Sequence, residues 1–398
     1  MNHSLDQSAY NNKNLKWLLI IGVILVGANL RVPLTSAGAL VSFIRDDFGI
    51  SNALAGAITT LPLIAFALLS PFAPKLAGKF GMERTIGISL VLLFAGILIR
   101  SAGGIELLFF GTLLIGLAIA IGNVLMPGIV KMNFPLQIGL MTGLYAIVMN
   151  VFGALGSGLS IPIASSGNFG WTGSLLVWGV LTLVTIVIWL PQLKKSRPAE
   201  NSSVQATSGS LMRSSLAWKI TLFMGAQSLI FYTLITWLPT ILTANGYDIH
   251  LAGWGVFIFQ FASIPFTFII PVIADKMKNQ VLIALAASGI IIVGILGLLA
   301  GLTQLTLHWI ILLGMGNGSA FSLSMMFFTL RTKDGYQAAE LSGMAQSFGY
   351  LLAAFGPVLV GGLQDITGSW TLPLLLVTLA AAVMLITGIA AGKNRQVN

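Results

Sequence analysis

The sequence has no cysteine, few histidines and few charged residues. The absence of cysteine from its 398 residues excludes a disulfide framework, a thiolate metal site and a cysteine nucleophile. Only His3, His250 and His308 carry an imidazole, so we expect no histidine metal cluster and no cofactor. Charged residues make up 8% of the chain and hydrophobic residues 56%, whereas about 25% charged residues is usual in soluble domains. The composition therefore predicts an integral membrane protein that contacts the lipid bilayer.

Motifs for catalysis and for nucleic-acid binding are also missing. The sequence contains no glycine-rich phosphate loop ending in Lys-Ser/Thr and no Ser-His-Asp set, so we do not expect an enzyme. The net charge of +9 would suit a nucleic acid, but the basic residues are not interleaved with aromatic ones. Residues 1–15 lack the apolar run and cleavage site of a signal peptide, so we expect the first helix to be retained.

Apolar stretches separated by charges, Gly, Pro or Asn predict an all-α membrane fold with twelve transmembrane helices. The predicted spans are about 16–43, 52–72, 84–102, 106–131, 138–163, 171–190, 216–240, 251–274, 280–301, 304–330, 339–362 and 370–391. Nearly all lysines and arginines fall in the loops of one side, while Arg45 and Arg100 fall on the other. The positive-inside rule therefore predicts a multi-pass protein of the cell membrane with both termini in the cytoplasm.

A polar, serine-rich stretch near the middle divides the chain. It predicts a cytoplasmic linker at 194–215 between one six-helix bundle at 1–193 and a second at 216–398. The two halves also match each other weakly, at nearly constant spacing. The matches are Gly27-Ala28-Asn29 with Gly225-Ala226-Gln227, Pro74 to Lys79 with Pro271 to Lys276, and Thr142-Gly143-Leu144 with Ser342-Gly343-Met344. Two parallel repeats around a site at mid-membrane are a known plan of carriers that work by alternating access.

Arg31 is a single charge in the middle of the first predicted span. A guanidinium at that depth costs about 2.5–3.5 kcal/mol on insertion scales, so we expect it to face a protein-lined cavity. Pro33 has no N–H, so the carbonyl of Asn29 loses its helical partner and the helix should bend there. Acidic residues fall only in loops or at span ends, which leaves coupling to protons open. Arg31 either contacts the substrate or is a structural arginine satisfied by carbonyls and amides.

Other polar side chains lie deep enough in the predicted spans to line the same cavity. Amides and phenols suit a small polar solute because they both donate and accept hydrogen bonds. With Asn29 and Arg31, the candidate substrate-binding residues are Asn123, Tyr145, Asn150, Gln227, Tyr232, Gln260, Asn317, Gln346 and Tyr350. The alternative for each is hydrogen bonding between helices, worth about 0.6 kcal/mol. Phe231, Trp237 and Phe259 either stack on a flat ring or pack in the core.

With twelve spans in two repeats, the chain resembles the major facilitator superfamily over nearly all of its length. The superfamily carries Gly-x-x-x-Asp-Arg/Lys-x-Gly-Arg-Arg/Lys between spans two and three. The matching stretch here is Pro74-Lys-Leu-Ala-Gly78-Lys79-Phe-Gly81-Met-Glu83-Arg84, with Gly78 in place of the acid. The second copy keeps the acid as Asp275, beside Lys276. The resemblance implies gating roles for Lys79, Arg84, Asp275 and Lys276, with positive-inside topology as the alternative for the basic ones.

Within the superfamily, Gly27-Ala-Asn-Leu-Arg31-Val-Pro33 is similar to the Asn-Leu-Arg-Pro-like element of cyanate and 2-nitroimidazole transporters, although Val32 intervenes here. This likeness implies a secondary active transporter of a small anion or a small polar heteroaromatic compound. We expect it to act as a monomer, without nucleic acid. Two alternatives stay open: an exporter of lipophilic drugs, in which cavity aromatics would dominate binding, and a non-transporting membrane sensor.

Overall fold

The computed structural model describes residues 17–50, 52–166, 169–196, 211–247, 249–301 and 303–397, and the regular secondary structure of these residues is entirely helical. Eleven of the described helices are long and apolar enough to cross a membrane. A twelfth span is obtained when the pair Gly56–Leu69 and Ala73–Phe80, bent by 58°, is counted as one. The predicted all-α membrane fold is confirmed. Trp17–Ala39 counts as a single span although its helix is interrupted.

The helices of the first half follow the predicted spans closely. They are α1 (residues 17–29), α2 (Val32–Ala39), α3 (Val41–Phe48), α4 (Asn52–Leu69), α5 (Ala73–Phe80), α6 (Met82–Arg100), α7 (Ile105–Asn133), α8 (Ile138–Ser165) and α9 (Gly170–Trp189). A 3₁₀ turn at Leu190–Lys195 follows α9. Left-handed or extended glycines separate several of these helices, and Gly81, with φ of 85°, lies directly between α5 and α6.

The second half contains six long helices and a 3₁₀ turn at Thr303–Leu305. The helices are α10 (Ser215–Ala244), α11 (Ile249–Lys276), α12 (Val281–Leu299), α13 (Thr306–Leu330), α14 (Gly335–Thr367) and α15 (Thr371–Gly392). Residues 197–210, which form most of the predicted linker, lie outside the described part of the chain.

The described chain divides into two compact units. The first unit runs to Ile129 and resumes at Leu144 until residue 196, and the second contains Val130–Gly143 and the residues from 211 onward. The sequence assigned Val130–Gly143, which holds the end of α7 and the start of α8, to the first bundle. This segment instead groups with the second unit because its main chain and side chains contact α11 and the end of α13.

The repeat seen in the sequence extends to helix contacts inside each unit. In the first unit, a Cβ added at Gly156 of α8 would lie 2.6 Å from Oγ1 of Thr35 in α2. In the second, a Cβ added at Gly356 of α14 would lie 2.7 Å from Oγ1 of Thr233 in α10. The spacing between the two pairs is that of the sequence repeat. Counted within each half, a glycine of the fifth span therefore packs against a threonine of the first span.

Arg331, directly after α13, joins three helix ends of the second unit. Its Nε donates to the carbonyl oxygen of Ala391 at 2.8 Å and its Nη2 to that of Gly392 at 2.9 Å, both in the last turn of α15. Nη2 also donates to Gln280, the residue before α12. Burial lowers the pKa of Arg331 to about 10, so the guanidinium stays charged at neutral pH. This cation at carbonyl-rich helix ends is expected to stabilise the unit.

Replacement of Arg331 by Gln should therefore lower the stability of the protein. Three acceptors lose a charged donor, and we expect a loss of about 2–4 kcal/mol, observed as a lower midpoint of thermal unfolding in detergent. Lys393→Gln is the matched control because it removes the same charge from an exposed residue beside the same helix end. Equal losses in the two variants would show that charge alone, and not these hydrogen bonds, matters.

Candidate functional site

The first span is interrupted at Leu30 and Arg31, where α1 ends and α2 has not yet begun. The N–H groups of Leu34 and Thr35 both donate to the Arg31 carbonyl oxygen, each at 3.1 Å. Pro33 is in the first turn of α2, where a missing N–H costs nothing. The predicted interruption before Pro33 is present, and half-buried Arg31 lies directly at it.

Helix α8 contacts the interruption through glycines. A Cβ added at Gly153 would lie 2.7 Å from Cγ of Arg31, and one added at Gly27 of α1 would lie 2.9 Å from the carbonyl oxygen of Tyr145. Real Cβ atoms essentially never approach other heavy atoms within 3.0 Å. The stem of Arg31 therefore crosses α8 at a position that only glycine leaves open.

Helix α9 holds the last turn of α1 through Asn29. The Asn29 Nδ2 donates to Oγ1 of Thr185 at 2.8 Å and to the carbonyl oxygen of Leu25 at 2.9 Å. Thr182 Oγ1 donates to Oδ1 of Asn29 at 2.6 Å. With 1% of its surface exposed, Asn29 uses both ends of its amide inside the bundle. Its position supports the interhelical role that the sequence offered as the alternative to substrate contact.

Helix α6 contacts the other side of the interruption through Arg100, which the sequence did not identify as a site residue. Its Nη1 donates to the carbonyl oxygen of Pro33 at 2.7 Å, and the residue is 1% exposed. The charge pattern assigned Arg100 to the membrane side that carries few basic residues, and the structure shows that its side chain is directed into the first unit. The sequence did contain one signal for Arg100: it is a basic residue on the membrane side where almost no other basic residues are predicted.

In the second unit, two predicted amides form a pair between α10 and α13. Gln227 Nε2 donates to Oδ1 of Asn317 at 2.9 Å, and Ser228 Oγ donates to Oε1 of Gln227 at 3.2 Å. Gln227 and Asn317 are 2% and 3% exposed. The structure thus brings together the two candidates that the sequence assigned to spans seven and ten.

One turn further along α10, aromatic side chains from three helices form a cluster. The ring centroid of Phe231 lies 5.3 Å from that of Tyr232 and 6.0 Å from that of Phe259, and Tyr232 lies 6.5 Å from Tyr350. These separations are typical of favourable aromatic pairs. Phe259 is fully buried, but Phe231, Tyr232 and Tyr350 are only half-buried. We call these four residues the aromatic cluster.

The remaining candidates differ in exposure. Tyr145 and Gln346 are buried, Asn123 and Asn150 are half-buried, and Gln260 is exposed. Asn150 Nδ2 donates to the carbonyl oxygen of Ala146 in its own helix at 3.0 Å, and Gln346 Nε2 donates to Ser342 Oγ at 2.8 Å. Both of these hydrogen bonds lie within a single helix, α8 for Asn150 and α14 for Gln346.

Of the predicted gating residues, Asp275 contacts another helix. Its Oδ2 accepts the N–H of Gly139, in the first turn of α8, at 3.0 Å. A Cβ added at Gly139 would lie 2.3 Å from the Pro271 carbonyl oxygen, so α8 and α11 are in main-chain contact there. A carboxylate at a helix N-terminus is favourable because of the helix dipole. Lys79, Arg84 and Lys276 are exposed.

Lys131, at the end of α7, is a second contact of this kind that the sequence did not single out for gating. Its Nζ donates to the carbonyl oxygen of Thr329 at 2.5 Å, to Oγ1 of Thr332 at 3.1 Å and to the Thr332 carbonyl oxygen. These acceptors lie at the C-terminal end of α13, where the dipole favours a cation. Within the second unit, two charged contacts thus hold Val130–Gly143. Lys131 binds the end of α13, and the Asp275 carboxylate binds the start of α8.

Comparison with known proteins agrees with this architecture. The family model described as the Major Facilitator Superfamily matches residues 19–357. The chain is 47% identical over 389 residues to the uncharacterized transporter YycB of Bacillus subtilis (strain 168), covering 98% of this chain and 96% of that one. It is 41% identical over 382 residues to the 2-nitroimidazole transporter of Escherichia coli (strain K12), covering 96% of each. Identity to the cyanate transport protein CynX of the same organism is 25% over 353 residues, covering 88% and 91%.

A solved structure shows the same fold. The proton:xylose symporter XylE, a major facilitator protein, matches with a TM-score of 0.76 over 97% of this chain and 98% of that one. The sequence identity is 13%, so this likeness concerns the fold alone.

The packing of Arg31 against α8 predicts opposite effects of alanine at two glycines of that helix. Gly153→Ala should lower stability by about 1–3 kcal/mol, because the new methyl group overlaps the Arg31 stem. Gly158→Ala should be neutral or stabilising, because nothing lies within 4 Å of its added Cβ and alanine favours the helix. Thermal unfolding of both variants in detergent measures the difference, and equal midpoints would contradict the proposed overlap.

Proposed function

The chain belongs to the Major Facilitator Superfamily, and on that premise we propose that it carries a small anion or a small polar heteroaromatic compound, cyanate- or nitroimidazole-like, by alternating access. We place it in the cell membrane, with both termini in the cytoplasm, as a monomeric secondary transporter and not an enzyme. The observation that carries the proposal is the half-buried Arg31 at the interruption of the first span.

Arg31 has the chemistry that such a substrate requires. Its guanidinium is always charged and presents several N–H donors in one plane, which match the oxygen pair of a nitro group or the charge of a small anion. Because Arg31 is only half-buried, part of its surface remains open to a ligand. A ligand that supplies electron density at Arg31 also offsets the cost of keeping a cation at mid-span.

The second unit supports the heteroaromatic part of the proposal. The half-buried faces of Phe231, Tyr232 and Tyr350 offer stacking surface for a flat ring, worth about 0.5–1.5 kcal/mol per aromatic pair. The pair of Gln227 and Asn317, one turn before the aromatic cluster, adds amide groups to α10 and α13. The aromatic cluster also favours the second candidate function, export of lipophilic compounds, for which Arg31 would be dispensable.

We further propose that Asp275 and Lys131 gate transport by holding Val130–Gly143. Each charge lies at the helix end that its sign favours, with Asp275 at the start of α8 and Lys131 at the end of α13. Their release would free the start of α8. We do not extend gating to Lys79, Arg84 and Lys276, because their exposure favours the alternative role in membrane topology.

Replacement of Arg31 by Ala tests the substrate proposal. We expect 2-nitroimidazole or cyanate to raise the unfolding midpoint of the wild type, and the apparent affinity of the variant to fall by about tenfold or more, as for loss of a charged hydrogen bond. Arg45→Ala is the control, because Arg45 pairs with Asp46 at 2.7 Å near the surface of the same half.

Equal stabilisation of the wild type and Arg31→Ala by both compounds would remove Arg31 as the anchor. Loss of binding in Tyr232→Ala together with full binding in Arg31→Ala would favour the exporter of lipophilic compounds.

The gating proposal is tested by the accessibility of Thr142, which is 1% exposed within the same segment. The chain has no cysteine, so Thr142→Cys gives a single labelling site without background. Adding Asp275→Ala should increase the thiol labelling rate about twofold to fivefold, since a dipole contact of about 0.3–1 kcal/mol is lost. The control is Asp365→Ala, at an exposed carboxylate. An unchanged rate with Asp275→Ala would contradict the gating role.

A further inference from the structure

Arg100 is buried although it lies at the end of its span, on the side that the charge pattern assigned to the few basic residues outside the cytoplasm. It is the last residue of α6, and a Cβ at Gly111 of α7 would lie 2.4 Å from its backbone N and 2.7 Å from its Cα. This close crossing of α6 and α7 fixes the backbone from which the Arg100 side chain extends. The side chain ends at the carbonyl oxygen of Pro33, to which Nη1 donates at 2.7 Å.

The energetics of Arg100 do not suit a residue that only fills space. Its Nε and Nη2 are buried and have no hydrogen-bond partner among the described residues. Burial of a cation with incomplete hydrogen bonding is costly, and apolar residues of similar volume often stabilise such positions better. We therefore expect an apolar side chain at this position to stabilise the bundle at least as well, which points to a role for Arg100 in the main-chain carbonyl that it holds.

The carbonyl of Pro33 lies two residues from Arg31 in the chain. Asn29, two residues from Arg31 on the other side, is bound to α9 through Thr182 and Thr185. The interruption leaves Arg31 with φ of −123° and ψ of −45° between these two fixed points. The direction of the Arg31 side chain therefore depends on where α6 holds α2, as well as on where α9 holds α1.

We propose that Arg100 is a positioning residue for ligand binding: its guanidinium holds the Pro33 carbonyl and so sets the direction in which Arg31 presents its charge. This inference rests on the proposed function, because it takes Arg31 as the ligand anchor. Arg100 itself does not contact the ligand. The acceptor is a main-chain carbonyl, so a substitution at Pro33 would not remove it. The experiment therefore changes the donor, Arg100.

Arg100→Met tests the inference because it keeps an apolar side chain of similar length and removes all donors. We expect this variant to fold, to keep the unfolding midpoint of the wild type or exceed it, and to bind 2-nitroimidazole and cyanate about tenfold more weakly. Arg100→Lys should recover part of the affinity, because an ammonium group can also donate to the Pro33 carbonyl oxygen. A merely structural role of Arg100 predicts instead a lower unfolding midpoint with unchanged affinity for both compounds.

Arg331→Gln is the matched control for binding. Arg331 is also a buried arginine bound to main-chain carbonyls, but its acceptors belong to α15 of the second unit. Its replacement should lower the unfolding midpoint and leave the affinity for both compounds within about twofold of the wild type. Weaker binding in Arg331→Gln equal to that in Arg100→Met would attribute both effects to general destabilisation and overturn the inference.

A second measurement reports position without any ligand. Arg31→Cys places the single thiol of the chain at the interruption, and its labelling rate is compared with Arg100 intact and with Arg100→Met. We expect a change of about threefold or more in either direction, and no change with Arg331→Gln. Equal rates would overturn the inference. If Arg100→Met fails to fold, Arg100→Gln is used in both measurements with the same expected outcomes.

The two proposals fail in different ways. Full binding by Arg31→Ala would overturn the proposed function and this inference together. Lost binding in Arg31→Ala with full binding in Arg100→Met would overturn this inference alone and leave Arg31 as the anchor.

Discussion

A cation in the middle of a transmembrane helix can persist only if the protein around it supplies the hydrogen bonds that lipid cannot. Three neighbouring helices of the first unit hold the interrupted span that carries this cation. Gly153 of α8 leaves room for the Arg31 stem, hydroxyl groups of α9 hold Asn29, and Arg100 of α6 holds the Pro33 carbonyl. Each contact uses different chemistry, and together they fix a stretch of chain that has lost its regular helical bonds.

The two units share packing but not polar chemistry. The Gly–Thr contact recurs in both, with Gly156 and Thr35 in one and Gly356 and Thr233 in the other. At the spacing that relates Gly27 to Gly225, Arg31 corresponds to Leu229, which packs against Gly356. At this position the first unit therefore carries a cation and the second an apolar side chain.

Hydropathy and proline chemistry predicted the spans and the interruption before Pro33, because both depend on residues adjacent in the sequence. The sequence identified Gln227 and Asn317 separately as candidates, but their hydrogen bond to each other was not predicted. Arg100 and Lys131 could not be assigned, because a topology rule locates a basic residue along the chain and not the direction of its side chain. The partners of Asn29 in α9 lie more than 150 residues away, which no local pattern reaches.

The length of helix α8 and its contacts limit how the helix can move. It runs without a break from Ile138 to Ser165, its first turn is bound to Asp275 in the second unit, and its middle lies against Arg31 in the first. Gly139 and Gly153 are about 20 Å apart at the rise of an α-helix. Because both ends of this stretch touch their neighbours through glycines, little side-chain volume is available to absorb a displacement. The proposed release of α8 from Asp275 would therefore act on a helix that has little freedom to deform between that contact and Arg31.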